Sequence, residues 1–387
     1  MALLRERRRK IIGIVVGSVL GAIIVFLALV TVIGVVGYTV NYNDLDDVKA
    51  VGSRYAPVYE NGVYTFRIDA EEGFRILQIT DVHIGGGAFS IGKDAKALDA
   101  VEKLIRAAKP DLVAVTGDIA YPFPIQSGSF NNLRESAMFA KLMEKLEVYY
   151  TISFGNHDTE SYSFYDRDDL YEFYSQEKYC VIDRAENADG INYAVNIVDD
   201  ESDRIVQTLY MMDTHAYVKD GNGLFDRYDG LHENQIEWYR GEVGRMKALN
   251  SAYGAPDSLL FIHIPFVEYE TAWQEYRAAG SQNTENVIYY YGEAREPDEN
   301  VCHSMHDDEM FETILELGST QGVFAGHDHL NYFSVEYKGV RLTYGMSIDY
   351  LAYIGIGKEH TQRGATIIDL DSAGDMEIEQ LPLSAVA

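Results

Sequence analysis

Cysteine is almost missing from this sequence: Cys180 and Cys302 are the two in 387 residues. That excludes a disulfide scaffold and a thiolate metal site, and leaves open one bridge or two free thiols. Basic residues are scarce too. Against 61 Asp and Glu stand 32 Lys and Arg, a formal net charge of -29, and a chain without a basic footprint is not built around nucleic acid. No Asn-x-Ser/Thr sequon occurs, which for a domain outside the cytoplasm points to a bacterial cell surface rather than a eukaryotic secretory route. Internal repeats and low-complexity tracts are absent as well. Apolar residues are ample: 47% of the chain is hydrophobic and 24% charged, enough for one large domain with a sizeable core.

The first ten residues, MALLRERRRK, carry five basic side chains and one acid. Residues 11–36 then run without a charge, Ser18 and Thr31 being the hydroxyls among them. As a helix this run would measure ~39 Å at ~1.5 Å per residue, enough to cross a bilayer with some tilt. A cleaved signal peptide has a shorter apolar region of about 7–15 residues. The run therefore reads as an uncleaved transmembrane anchor at 11–37, with 1–10 cytoplasmic by the positive-inside rule and the rest outside the cell membrane. Gly13, Gly17 and Gly21 stand at small-xxx-small spacing, which would let two anchors pair as a homodimer. Residues 38–60, with Asp44, Asp46 and Asp47, read as a juxtamembrane spacer, and 61–387 as one globular domain.

Hydrophobic periodicity predicts strands at 63–69, 74–80, 112–116, 148–154, 205–212, 258–262 and 321–325. It predicts helices through 98–108, which Pro110 stops, and through 133–146, 233–249 and 305–317. Strands alternating with helices are the mark of a parallel sheet with helical crossovers. Residues 265–304 are rich in tyrosine and turn formers without a clear period, and read as a long surface insertion. With 159–190 they would shape substrate access. The runs 332–337, 340–344 and 365–370 look like a closing antiparallel set.

Gly326-His327-Asp328-His329 follows an apolar run, and on an extended segment residues i and i+2 point the same way. Four more polar clusters follow apolar runs: Asp81-Val82-His83, Gly117-Asp118, Gly155-Asn156-His157-Asp158 and His263. Sites in open α/β sheets form beyond the carboxyl ends of strands, so the five would converge at one edge. Mixed nitrogen and oxygen ligands suit Mn, Fe, Zn or Co, not Ca or Mg alone. Seven ligands (Asp81, His83, Asp118, Asn156, His263, His327 and His329) are too many for one tetrahedral ion and suit a pair. Two metals ~3.5–4 Å apart can clamp a phosphoryl group and supply hydroxide near neutral pH. They would also reverse locally the sign of a domain that otherwise repels anions.

The blocks D-x-H, G-D, G-N-H-D/E, H and G-H-x-H, in this order, resemble those of the calcineurin-like metallophosphoesterases over residues 63–383. His263-Ile264-Pro265-Phe266 and residues 326–331 resemble the purple-acid-phosphatase-like branch. The resemblance implies an α/β fold, a four-layer α/β/β/α sandwich behind the single transmembrane helix, with two divalent or trivalent ions (Mn, Fe or Zn). It implies that Asp81, His83 and His329 hold one metal, that Asn156, His263 and His327 hold the other, and that Asp118 bridges them. His157 would protonate the leaving alkoxide or position the phosphate, Asp158 would orient its ring, and the nucleophile would be a metal-bound hydroxide. Purple acid phosphatases carry glycine where this chain has His83, and an iron-binding tyrosine that matches Tyr121. Both together would crowd one metal, so His83 is taken as the ligand and Tyr121 as packed beside it. The implied activity is phosphomonoester hydrolysis at the cell surface, with a phosphodiesterase or nucleotide pyrophosphatase as the alternative. A non-catalytic surface binding protein is disfavoured by the intact blocks. Asp213 and His215 end a strand and read first as turn formers, His303 and His306 as surface histidines, and the 29 tyrosines as half-buried strand residues.

Overall fold

The computed structural model describes residues 2–219, 226–305, 309–358 and 361–386. It starts with α1 (Ala2–Asp44), one unbroken helix. β1 (Pro57–Glu60) and β2 (Val63–Ile68) form a hairpin, followed by β3 (Phe74–Ile79), α2 (Ile91–Ala108), β4 (Leu112–Thr116), α3 (Asn132–Leu146) and β5 (Tyr150–Ser153). Next come α4 (Arg167–Ser175), β6 (Tyr193–Asp199), β7 (Ile205–Met211) and a small hairpin of β8 (Tyr217–Lys219) and β9 (Asp226–Tyr228). α5 (Glu233–Leu249), β10 (Asp257–Phe261), α6 (Val267–Ala278), β11 (Val287–Tyr291), α7 (Met310–Leu317) and β12 (Thr320–Ala325) follow. The chain closes with β13 (Ser334–Tyr337), β14 (Val340–Tyr344), β15 (Gly364–Leu370) and β16 (Met376–Pro382).

A nine-stranded sheet, in the order β1-β2-β6-β7-β10-β12-β14-β13-β11, stacks on a five-stranded sheet, β16-β15-β3-β4-β5. Period-two alternation explains the stacking. In β10, Leu259 and Phe261 join the core between the sheets, together with Ile76, Val113 and Ile152. Leu260 and Ile262 face the other way, into a second core under α5, α6 and α7 with Tyr239, Tyr269 and Phe311. The helices α2 and α3 cover the outer face of the small sheet through Leu98, Val101, Phe139 and Leu142. The result is the four-layer α/β/β/α sandwich. The parallel pairings β3–β4 and β4–β5 follow from the strand-helix alternation at residues 74–154.

Three expectations are corrected. Residues 265–304 are not an irregular insertion. α6 buries Tyr269, Ala272 and Trp273, and β11 closes one edge of the large sheet by pairing antiparallel with β13. The tail is not a single antiparallel set: β14 lies parallel to β12, while β15 pairs with β3 and β16 in the other sheet. Residues 38–60 are not a free spacer. α1 continues to Asp44, Asn41 Nδ2 donates to Ile91 O at 2.8 Å, and Lys141 Nζ donates to Tyr42 O at 2.6 Å. Asp46 accepts ion pairs from Lys141 and Lys145, and Arg54 pairs with Asp111 at 2.6 Å. A Cβ on Gly37 would come within 2.2 Å of Ile91 Cδ1, so glycine lets α1 lie against α2. Gly34 is buried as well, and residues 5–29 of the helix are exposed.

Candidate metal centre

Each cluster begins just past the carboxyl end of a strand: Asp81 and His83 after β3, Asp118 after β4, Asn156 to Asp158 after β5, His263 after β10, His327 and His329 after β12. Because β3, β4 and β5 are neighbours in one sheet and β10 and β12 in the other, residues 81–329 come together at one end of the sandwich. Asp81, His83, Asp118 and His327 all have left-handed backbone, with φ of 54°, 52°, 55° and 79°. Such conformations cost on the order of 1–3 kcal/mol each and persist where surrounding contacts enforce them. Here Asp81 N donates to Gly117 O and His83 N to Asp118 O, while His157 N donates to Asp118 Oδ1. Two glycines allow the approach. A Cβ on Gly155 would lie 2.1 Å from Asp118 Oδ1, and one on Gly326 would lie 2.0 Å from Thr80 Oγ1.

All seven expected ligands are buried. Asp81, His83 and His329 bring one ligand atom each within 4.8 Å of one another, as do Asp118, His263 and His327, and His83, Asp118 and His157. The family profile of calcineurin-like phosphoesterases matches residues 74–331, a span that contains every one of these groups. The chain belongs to the calcineurin-like phosphoesterase family. Among curated relatives, "Probable inactive purple acid phosphatase 14" of Arabidopsis thaliana is 23% identical, covering 78% of this chain and 77% of that protein. "Probable inactive purple acid phosphatase 29" of the same plant is 25% identical, covering 79% and 78%. A crystal structure of a dimetal phosphatase from Danio rerio has a TM-score of 0.49 and 14% identity, covering 80% of this chain and 96% of that one. These plant relatives lend no support to a bacterial setting.

The donor set fits the metals that the phosphoesterase family implies. His263 Nδ1 lies 2.8 Å from the Thr116 carbonyl, which must receive a proton, so Nε2 carries a lone pair in the neutral ring. That nitrogen faces Asn156 Oδ1 at 3.0 Å and Asp118 Oδ2 at 3.2 Å, both acceptors. Asn156 keeps its amide oxygen inward, because its Nδ2 donates to Tyr217 Oη at 2.8 Å while that hydroxyl gives its own proton to Glu160 Oε1 at 3.3 Å. Asp81 Oδ1, His83 Nε2, Asp118 Oδ2 and His327 Nε2 are buried without a hydrogen-bond partner. A buried polar atom left unpaired costs about 1–3 kcal/mol, more when charged, a cost that bound cations would remove. Nitrogen and oxygen donors of this kind are taken by Mn, Fe or Zn. The field is strong. Burial opposes charge on the His83 and His263 rings, yet Asp349 and Asp118 around His83, and Asp118 and Asp81 around His263, raise both pKa values to about 9 before any metal binds, so protons would sit on these rings until cations displaced them. Burial and the neighbouring His263 instead push His327 well below an ordinary histidine.

Several partners escaped the sequence reasoning. Asp349, after β14, places Oδ2 2.9 Å from His329 Nδ1 and accepts from Leu351 N and Ala352 N. Asp328, between the two histidines, accepts from Tyr344 Oη and Asn331 Nδ2 and so anchors the turn. Asp158 does not orient His157. Its carboxylate accepts from the backbone N–H of Asp118, Ala120 and Gly155 at 2.8–3.0 Å and so clamps two ligand loops together. The ring partner of His157 is Glu160, Nδ1 to Oε1 at 2.7 Å. Tyr121 packs edge-on against His83 and His157, and burial raises its phenol pKa.

Asp213 is fully buried in an ion pair with Arg167, whose Nη2 also donates to Gly155 O at 2.9 Å. His215 stacks on His232 and bonds Gln235. His303 is half-buried against Glu270, and His306 lies outside the described residues. Both cysteines are free. Beside the centre opens a cavity of about 580 Å³, lined by Tyr217, Tyr228, Cys302 and His303. Tyr228 sets its ring 4.2 Å from His327.

Proposed function

We propose that this protein hydrolyses phosphate esters, with monoesters as its substrates, at the outer face of a membrane that α1 spans. The observation that carries the reading is the set of buried ligand atoms left without a hydrogen-bond partner, Asp81 Oδ1, His83 Nε2, Asp118 Oδ2 and His327 Nε2, gathered in adjoining His/Asp clusters. Asp81, His83 and His329 would hold one ion, Asn156, His263 and His327 the second, and Asp118 both. Bound there, two such ions supply the positive charge that phosphoryl oxygens need and make water acidic enough to attack at neutral pH. His157 stands at the rim, partly exposed. With Glu160 stabilising the charged ring, it is placed to give a proton to the departing alkoxide. Tyr217 and Tyr228 wall the cavity that would take the alcohol portion.

The anchor is assigned to the apolar stretch of residues 11–37, its last turns docked on the domain through Gly34 and Gly37, with 1–10 on the cytoplasmic side. α1 is long and apolar enough to cross a membrane. A second reading, a surface binding protein without catalysis, draws on the word "inactive" in the names of the plant relatives. The test uses full-length protein in detergent, stripped of metal and reloaded with Mn, Fe or Zn, with a phosphate monoester and a matched diester. Metal-dependent monoester turnover that disappears in Asp118→Asn supports the proposal. A preference for the diester moves it to a phosphodiesterase, and no turnover with any metal leaves the binding protein.

A further inference from the structure

Phe89, Ile125, Phe130 and Phe164 are 48%, 77%, 42% and 65% exposed, large apolar side chains gathered at one end of the domain. They line a groove of about 480 Å³ whose other wall is α1, through Phe26, Val30 and Gly34. The helix is held in place there: a Cβ on Gly34 would sit 3.2 Å from Ala88 N. Further along α1, the guanidinium of Arg134, which also lines the groove, lies over the Tyr38 ring at 5.6 Å. Toward the N-terminus no described residue covers the helix, and Ile14 and Ile24 are 69% and 66% exposed. A surface this apolar requires hydrocarbon around it, and the groove wall belongs to the same helix. If Lys10 marks one headgroup level, a hydrocarbon core of ~30 Å takes ~20 helical residues. The far boundary then falls near residue 30, in the middle of the groove wall. The groove therefore straddles the acyl–headgroup boundary, apolar below and with Arg134 at its polar end.

A continuous series of ring contacts joins this groove to the metal centre. Phe164 stacks on Phe130 at 5.9 Å, Phe130 meets Tyr162 at 6.3 Å, and Tyr162 meets Phe123 at 6.2 Å. Phe123 meets Tyr121 at 6.1 Å, and Tyr121 meets His157 at 4.9 Å and His83 at 5.2 Å. We infer that the substrate is a phosphate ester of a lipid in the same leaflet, its acyl chains in the groove beside α1 and its phosphate at the centre next to His157. This rests on the phosphoesterase reading above and names its substrate class.

The test uses full-length, metal-loaded protein in phosphatidylcholine nanodiscs and two matched pairs. One is dioleoyl phosphatidic acid with glycerol 3-phosphate, the other dioleoyl phosphatidylglycerol with glycerophosphoglycerol. The lipid ester of at least one pair is expected to turn over roughly tenfold or more faster than its soluble partner at equal concentration, a gain of about 1.4 kcal/mol or more. The double variant Ile125→Asp/Phe164→Asp is expected to bring that ratio close to one. A soluble ester hydrolysed as fast as its lipid partner, or a ratio unmoved by the variant, overturns the lipid assignment while the phosphoesterase reading stands. No turnover of any of the four sinks the phosphoesterase reading and this inference with it. A readout free of catalysis is the emission added by Ile125→Trp. Quenching by phosphatidylcholine with brominated acyl chains is expected, and unquenched emission overturns the placement of the groove in the bilayer.

Discussion

His157 Nδ1 and Glu160 Oε1 lie 2.7 Å apart, so the carboxylate that steadies this ring comes from three residues downstream. A ring held in this way and used as an acid matters most when the leaving alkoxide is a poor one. His157→Ala is expected to slow hydrolysis of an alkyl phosphate by ~10²–10⁴, the usual weight of a general acid. Nitrophenyl phosphate, whose leaving group needs no proton, should lose far less. Glu160→Gln should show the same leaving-group dependence with a smaller loss. Equal losses on both substrates would instead assign His157 to binding the phosphate.

Asp349 acts on the centre through His329. Its Oδ2 lies 2.9 Å from His329 Nδ1 and its Oδ1 3.8 Å from His83 Nδ1. Burial opposes its charge, yet the two rings hold its carboxyl well below the usual range. Carboxylates that orient metal-bound histidines typically contribute 10–100-fold in metal affinity. Asp349→Asn should therefore weaken Mn or Zn binding by about that factor in a calorimetric titration. Asp328→Asn, which alters the anchor of the turn and touches neither ring nitrogen, should weaken it less.

Asp349 also marks where sequence reasoning ran out. Asp81, Asp118, Asn156, His263 and His327 each sit at most two residues beyond an apolar run, a spacing legible without coordinates. Asp349 comes five residues after β14, and a backbone bridge between Thr80 and Ser347 is what brings it alongside. Adjacency in sequence points to Asp158 as the partner of His157, whereas the structure supplies Glu160. Asp158 points under the Asp118 loop, and the helical spacing from His157 to Glu160 selects the ring contact. α6 and β11 were hidden because their buried face is made of Tyr269, Trp273 and Val287 among residues that look turn-rich. The end of α1 lies beyond the hydrophobic run for a different reason. Hydrophobicity stops near Gly37, but Asn41 and Leu45 go on packing against the domain, and no composition signal separates a docked polar turn from a tether.

Glu135 and Asp94 are buried beside the loop that leads from His83 to the groove. Asp94 accepts from Gly85 N and Gly86 N, and a Cβ on Gly86 would touch Glu135. Burial lifts the Asp94 carboxyl to about 7 despite those donors. Burial first, and then the charge of Asp94, lifts Glu135 well above an ordinary glutamate. Both groups keep their protons in the folded state at a pH where the unfolded chain has lost them. Stability therefore falls as pH rises from the unfolded values, 3.8 and 4.5, toward the raised folded ones. Glu135→Gln removes one of the two titrations. Its melting temperature should match that of the parent near about pH 4 and exceed it by a margin that widens up to about pH 8. A margin that stayed constant with pH would mean that Glu135 is ionised in the fold.

Arg167 couples stability to the centre by two separate bonds. Its guanidinium pairs with the fully buried Asp213, and its Nη2 donates to the carbonyl of Gly155, the residue before Asn156. Burial alone would raise the Asp213 carboxyl, but Arg167 and His215 lower it, so Asp213 stays ionised. Arg167→Met leaves that charge buried without its cation and should cost about 3–5 kcal/mol in denaturant unfolding. Adding Asp213→Asn removes the charge, and part of the loss should return. Metal affinity should behave otherwise. The bond to Gly155 O is missing in the single and the double variant alike, so Asn156 is equally unsupported in both. The double variant is thus expected to regain stability while binding Mn or Zn as weakly as Arg167→Met. If affinity recovered together with stability, the ion pair would be acting on the centre through the fold as a whole and the Gly155 contact would be incidental.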